Sequence, residues 1–282
     1  MGVLDMFSLD GKVALVTGGA GLYGRQILRA VAEAGAETYV ASRNLAALET
    51  LAAEHRAEGL AVTACQYDQG DEATILALRD EIMERSGRID VLVNNSVARP
   101  MKNGYQSDLS QFAESMRINA TGLFAVTRAF GDVMAGQGGP ATGDASPLGG
   151  AATGDASPLG GSIINIGSIM GVIGPDPTNY RDTDMHAWSP DYFFHKGGMI
   201  NFTRFIGSYY GPKGVRCNCV SPGGLGTDGH PEPFVRQYGE RTFLGRLANE
   251  TDLMGTIVFL ASDASRYITG ENIMVDGGYV AK

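Results

Sequence analysis

Cysteine, tryptophan, histidine and basic charge are all scarce in this sequence, and each shortage excludes something. Among 282 residues there are three cysteines, one tryptophan, four histidines and 22 Lys and Arg against 31 Asp and Glu, a formal net charge of −9. A protein that grips a nucleic-acid backbone gathers a basic face, so this balance points to a small-molecule or protein partner and away from nucleic acid. Cys65, Cys217 and Cys219 are odd in number and stand at no zinc-type spacing to a pair of histidines. They read as reduced thiols in a cytoplasmic interior, with no metal site, and His230 likewise has no partner at ligand spacing. No apolar run reaches about 18 residues, and the N-terminus lacks a basic stretch followed by an apolar one, so neither a membrane span nor secretion is expected.

Glycine, by contrast, is abundant, and its placement is informative. Residues 12–17 (Lys-Val-Ala-Leu-Val-Thr) form a short β-branched run that reads as a buried parallel strand. Gly18, Gly19, Ala20, Gly21, Leu22, Tyr23 and Gly24 follow directly, and then a helical pattern through Ile27, Leu28, Val31 and Ala32. In a strand–turn–helix setting, glycines let the backbone approach a pyrophosphate whose charge the helix N-terminus holds. A second strand over residues 37–41 ends at Ser42-Arg43-Asn44, where an acidic residue would accept the adenosine ribose hydroxyls of NAD. The acid is absent; Ser42 and Arg43 suit a 2′-phosphate, which favours NADP(H), with NAD(H) as the alternative. A third strand over residues 61–65 leads to Asp68 and Gln69, where Asp68 either meets the adenine or caps the next helix. A fourth, residues 89–93, runs into Asn94-Asn95-Ser96; Arg99 and Lys102 beyond it lie at the edge where a substrate carboxylate would be met.

Tyr192-Phe193-Phe194-His195-Lys196 carries the chemistry. On a helix, positions four apart share a face, so the Tyr192 phenol and the Lys196 ammonium point into one site. A cation beside a phenol stabilises the phenolate, which suits proton exchange with a carbonyl/alcohol pair.

The order of these motifs resembles the classical short-chain dehydrogenase/reductase family over almost the whole chain. Residues 118–122 (Ile-Asn-Ala-Thr-Gly) resemble the helix carrying its catalytic asparagine, and 162–168 the strand delivering its serine. Tyr192 and Lys196 match its Tyr-x-x-x-Lys, residues 215–223 its strand and Pro-Gly turn, and 275–278 (Val-Asp-Gly-Gly) its closing strand. The resemblance implies one doubly wound Rossmann-type domain, residues 1–282, with a parallel seven-stranded sheet and helices on both faces. It implies an NAD(P)-dependent oxidoreductase in which Ser168 holds the substrate oxygen, Tyr192 exchanges the proton, Lys196 binds the nicotinamide ribose and Asn119 anchors a relay water. Gly18, Gly21, Leu22, Tyr23, Gly24, Ser42, Arg43, Asp68, Gln69, Asn95, Ser96, Lys196, Pro222, Gly223 and Thr227 become the cofactor set. The family commonly forms homotetramers through the helices bearing Asn119 and Tyr192, and the apolar Phe202, Phe205, Ile206 and Tyr209 permit such a surface.

Three departures bear on function. The glycine motif has Leu22 where the classical pattern has its middle glycine, so Thr17-Gly18-x-x-Gly21-x-x-Gly24 fits the extended branch of sugar-nucleotide epimerases and dehydratases. The ending at residues 275–278 leaves no room for that branch's large C-terminal domain. Second, Asn94-Asn95-Ser96-Val97 replaces the usual Asn-Asn-Ala-Gly, and Val97 loses backbone freedom. Third, the connection between Ser168 and Tyr192 is about ten residues longer than the family norm. This insertion, residues 172–191, lies at the carboxyl edge of the sheet, where ligands bind. Its Tyr180, Arg181, His186 and Trp188 offer hydrogen bonds and a flat face suited to a sugar, sugar acid or polyol. Tyr180 has Asp184 four residues on, not lysine, so Tyr192 keeps the catalytic role.

A second insertion, within residues 136–161, contains two near-identical copies of Ala-Thr-Gly-Asp-Ala-Ser-Pro-Leu-Gly-Gly. Such a composition builds no core and is expected to form a flexible loop that joins one helix, residues 112–134, to the strand at residue 162, at the amino edge and away from the cofactor. Residues 228–238 read as a short lid. A 3-oxoacyl thioester reductase, an extended-branch enzyme and a non-catalytic cofactor sensor remain as alternatives.

Overall fold

The computed structural model describes residues 2–137, 160–185 and 189–282; all but the last two residues of the duplicated segment, and His186 and Trp188, lie outside them. Seven strands form one sheet: β1 (Val13–Thr17), β2 (Glu37–Ser42), β3 (Val62–Gln66), β4 (Val91–Asn94), β5 (Gly161–Ile166), β6 (Val215–Pro222) and β7 (Asn272–Val275). Every pairing is parallel, in the order β3-β2-β1-β4-β5-β6-β7. The chain leaves β1 in one direction and returns at β4 in the other, so a crevice opens at their carboxyl ends.

The helices are α1 (Leu22–Glu33), α2 (Leu45–Ala57), α3 (Glu72–Ser86), α4 (Leu109–Met116), α5 (Leu123–Gln137), α6 (Pro190–Tyr210), α7 (Glu232–Arg241) and α8 (Met254–Ala261). A central parallel strand is apolar on both sides because helices cover both faces. In β1, Val13 and Leu15 join one core layer with Ile75 and Leu78 of α3, Phe130 of α5 and Tyr210 of α6. Ala14 and Val16 join the other, with Ile27 of α1 and Ile257 and Leu260 of α8. Each fully buried Leu or Ile in these layers contributes about 1.5–3 kcal/mol of transfer free energy. The three cysteines are buried free thiols.

A smaller cluster sits over the carboxyl edge, where Phe234 and Tyr238 of α7 pack with Ile169, Leu247 and Tyr279 against Tyr180 and Met185 of the insertion. At the opposite edge, Gln137 exchanges hydrogen bonds with both main-chain groups of Ile89 (2.8 and 2.7 Å), and Gly160 N–H donates to Gly214 O (2.9 Å). The described chain is thus anchored at the amino edge both before and after the undescribed stretch.

Candidate active site

The crevice begins at the glycine turn. Gly18 holds φ +67, a left-handed conformation that L side chains rarely adopt, and a Cβ at Gly24 would stand 2.2 Å from Gly18 O. Gly21 is the N-cap of α1 and no side chain caps that helix. The first bond into the helix runs from Arg25 N–H to Gly21 O (3.1 Å), so the amides of Leu22, Tyr23 and Gly24 face outward. Open amides at a helix start fit a pyrophosphate. Leu22, 66% exposed, replaces the pattern's middle glycine at no steric cost. The Tyr23 hydroxyl spans the crevice to Gly223 O (2.9 Å), just past Pro222 at the end of β6.

Neighbouring strand ends complete this cradle. Thr17 Oγ1 accepts the N–H groups of Asn95 (3.0 Å) and Ser96 (3.1 Å), while Asn95 Nδ2 donates to Thr17 O and Gly18 O. Ser96 Oγ accepts the hydroxyl of the buried Tyr67 (2.9 Å). At the β2 end Ser42 is half-buried, and the side chain of Arg43 is exposed. Asp68 accepts from Gly70 N–H (2.9 Å); the cap of α3 is Asp71, which accepts from Ala73 N–H (2.9 Å). Gln69 is turned inward, donating to Ile118 O (2.9 Å) and accepting from Tyr67, so only its main chain is left for a ligand. Thr227 lies in a turn closed by His230, whose main-chain N–H donates to Thr227 O (3.1 Å).

The candidate reactive side chains lie at the carboxyl ends of β4 and β5. Tyr192 and Lys196 share a face of α6, as i, i+4 spacing requires, with Lys196 Nζ 5.7 Å from the Tyr192 ring centroid. Lys196 is buried and donates to Ile166 O at the end of β5 (2.5 Å). Burial pushes the Lys196 ammonium below its usual range, and the Tyr192 phenol opposes that shift. Two residues beyond Ile166, Ser168 Oγ accepts from Met170 N–H (3.1 Å), leaving the hydroxyl proton free to be donated. The Tyr192 hydroxyl makes no hydrogen bond with the described residues, so it is available too.

Asn119 sits in a π-helical turn, Arg117–Gly122, interrupting what the sequence reads as one helix between α4 and α5. Its amide accepts from Ala98 N–H (2.8 Å) and donates to Ala98 O (2.8 Å) and Ser115 Oγ (2.9 Å). Ser115 in turn donates to Asp191 (2.5 Å), a carboxylate only 1% exposed and adjacent to Tyr192. Sequence reasoning missed this network; the i, i+4 spacing of Ser115 and Asn119 was the available signal. It also passed over His195, 4% exposed, whose ring nitrogens have no partner among the described residues.

The substrate-side expectations divide. Arg99 lies over the Tyr192 ring, guanidinium carbon 4.6 Å from the centroid. Tyr180 stacks on Phe234 (5.5 Å), and burial pushes its pKa up to about 12. Arg181 is exposed; its main-chain carbonyl accepts from Gln237 (2.8 Å), and its charge helps to hold the Asp176 carboxylate low. A cleft of about 560 Å³ separates Asp182–Met185 of the insertion from Gly229 and Pro231 of the lid loop.

A doubly wound sheet with an uncapped glycine turn at its crevice, and a tyrosine–lysine pair at the same edge, defines a dinucleotide-dependent oxidoreductase. The family model described as short chain dehydrogenase matches residues 12–143, and one described as enoyl-(acyl carrier protein) reductase matches 151–280. The chain is 30% identical to D-threitol dehydrogenase of Mycolicibacterium smegmatis, over 98% of this chain and 95% of that one. It is 28% identical to the L-tagatose-forming galactitol 2-dehydrogenase of Cereibacter sphaeroides, over 97% of each. The crystal structure of a gluconate 5-dehydrogenase from Burkholderia cenocepacia, in complex with NADP and tartrate, superposes with a TM-score of 0.80 at 28% identity, covering all of both chains. The protein belongs to the short-chain dehydrogenase/reductase family and is an NAD(P)-dependent oxidoreductase.

Proposed function

We propose that the protein interconverts an alcohol and a ketone or aldehyde on a sugar, sugar acid or polyol, with NADP(H) preferred over NAD(H). The observation that carries this is the buried Lys196 ammonium, held by Ile166 O and facing the Tyr192 ring with no carboxylate paired to it among the described residues. Ser168 donates its free hydroxyl proton to the substrate oxygen, and Tyr192 takes or gives the proton on that oxygen. The Lys196 ammonium, 5.7 Å from the Tyr192 ring centroid, stands beside the phenol through which that proton passes. Asn119, its amide already committed, fixes the π turn, so a relay water would be met by its main chain.

The open amides of Leu22, Tyr23 and Gly24 suit the cofactor pyrophosphate, with Gly18 and Gly21 shaping the turn. Ser42 and Arg43 suit a 2′-phosphate, Asp68 and the Gln69 main chain the adenine, and Asn95 and Ser96 the middle of the dinucleotide. Lys196, Pro222, Gly223 and Thr227 suit the nicotinamide end. Bound there, the nicotinamide supplies hydride exchange with the substrate carbon. The threitol and galactitol dehydrogenases support a polyol-like substrate, as does the pairing of Tyr180 with a lid aromatic.

The exposed Phe194, Phe205 and Tyr209 of α6 and Phe124 of α5 support self-association through these helices, as a dimer or tetramer. Ile206, by contrast, belongs to the core. Free thiols at all three cysteines support a cytoplasmic setting.

The test is a panel of sugars, polyols and their acids with both cofactors, followed at the nicotinamide absorbance, on the natural protein and on Tyr192→Phe. Expected is turnover that the substitution cuts by several orders of magnitude while cofactor still binds. Turnover that survives Tyr192→Phe would remove Tyr192 from the chemistry.

A further inference from the structure

Arg99 is placed for more than solubility. Its guanidinium lies 4.6 Å over the centroid of the Tyr192 ring, and Lys196 Nζ lies 5.7 Å from the same centroid. Two cations therefore converge on one phenol, and among the described residues neither has an acidic partner. Arg99 makes no ion pair and no hydrogen bond with the described residues, so its guanidinium donors are free for a ligand. The carboxylate nearest in sequence to Tyr192, Asp191, is buried and turned to Ser115. The Arg99 charge also reaches Tyr180, where it opposes the burial-driven rise of that phenol. His195 does not share the positive charge: burial, Lys196 and Arg99 push its pKa down to about 3, so it is neutral near pH 7.

We propose that Arg99 binds a carboxylate on the substrate, and that the preferred substrates are sugar acids or related hydroxy acids rather than neutral polyols. This deepens, and rests on, the reading of Tyr192 as the proton-exchanging group. A planar guanidinium meets a carboxylate with two parallel hydrogen bonds, and stacking on an aromatic ring holds that fork in place before the ligand arrives. A chain of net charge −9 repels anions at long range, so an anionic substrate needs a local cation where it docks. A carboxylate on Arg99 leaves an alcohol carbon a few bonds away beside the Tyr192 hydroxyl, which is the orientation catalysis requires.

The test compares kcat/KM for aldonates and uronates with that for the corresponding alditols and sugars, and includes sugar phosphates. Expected for the natural protein is a clear preference for the acids, with an acid KM that rises with ionic strength. Arg99→Gln should lower the acid-to-neutral ratio by about tenfold to a hundredfold through KM. Arg99→Lys, which keeps the charge but not the fork, should restore part of it. NADPH fluorescence on each variant reports that the fold and cofactor site are intact. Turnover that favours neutral polyols, or sugar phosphates, with a ratio Arg99→Gln does not move, overturns the carboxylate assignment and leaves the dehydrogenase standing. Absence of turnover on every compound with either cofactor removes the dehydrogenase reading itself, and this inference with it.

Discussion

His195 has the least provision for its polar atoms of any residue at the site. It packs edge-on to Tyr192 with ring centroids 5.2 Å apart, and both nitrogens are buried without a partner among the described residues. Burial first, then the charges of Lys196 and Arg99, carry its pKa from 6.5 down to about 3. The sign of the consequence follows from proton counting. Between those values the unfolded chain binds a proton that the folded chain refuses, so stability falls as pH falls from about 6.5 toward 3. His195→Leu removes both the titration and the orphaned nitrogens. Urea unfolding at pH 7 and pH 4 should show the natural protein losing about 2–3 kcal/mol more than His195→Leu over that interval. Parallel losses in the two proteins would show that His195 is reachable by water. The sequence exposed Tyr192 and Lys196 because their relation is local, four positions on one helix. It hid His195, because nothing local separates a satisfied histidine from a stranded one.

Between elements, the site is held by contacts that no local pattern predicts. Ser115 of α4 donates to Asp191 of α6 across 76 positions of sequence and so ties the π turn of Asn119 to the start of the helix bearing Tyr192. The other Asp191 oxygen has no partner among the described residues, so Ser115 is the one described group that satisfies this buried carboxylate. Ser115→Ala should therefore destabilise the fold by about 1–3 kcal/mol, measured by denaturant unfolding, and Ser115→Thr should recover most of it. A neutral Ser115→Ala would mean that water already serves Asp191. The insertion offers a contrasting case. Its Asp176 pairs with Arg241 of α7 (2.7 Å), and Arg241 also donates to Thr178 (2.8 Å). Burial works against the Asp176 carboxylate, but Thr178 and Arg241 hold its pKa below the usual range. Arg241 is half-exposed, so Arg241→Ala should cost no more than about 1 kcal/mol globally. Locally the effect should be larger, because the main described ties left are Asn179 to Tyr279, Gln237 to the Arg181 carbonyl, and the Tyr180–Phe234 stack. Limited proteolysis should cut the insertion faster in Arg241→Ala while the melting temperature barely moves. Equal cleavage rates would show that those remaining contacts suffice to dock it. The sequence placed this insertion at the correct edge because parallel topology fixes where strand-to-helix connections lie. Its docking on α7 was not legible, since Arg241 and Thr178 meet across 63 positions.

At the scale of the whole molecule, strands β1 to β4 were readable because central parallel strands are buried on both faces and appear as short apolar runs, while the count of seven came from the family resemblance. The π turn at Asn119 was not readable, since one extra residue in a helical turn leaves no periodic trace and α4 and α5 read as a single helix. Exposed aromatic surface is the other property belonging to the whole. Phe124 of α5 is 44% exposed, and Phe194, Phe205 and Tyr209 of α6 are 67%, 60% and 51% exposed. They form connected pairs: Phe112 with Phe194 (5.8 Å), Phe124 with Phe202 (6.4 Å) and Phe205 with Tyr209 (6.1 Å). An extended apolar face of this kind marks an association surface, and α6 runs along it while carrying Tyr192 and Lys196 on another side. Self-association there would brace the helix that carries Tyr192 and Lys196 without entering the crevice. Phe205→Glu places a charge in the middle of the face, so light scattering after size exclusion should show the mass falling to that of a smaller species. Activity should fall at low protein concentration, where the remaining contacts dissociate, and recover in part as concentration rises. An unchanged mass for Phe205→Glu, with the natural protein also running as a monomer, would assign these aromatics to some other partner.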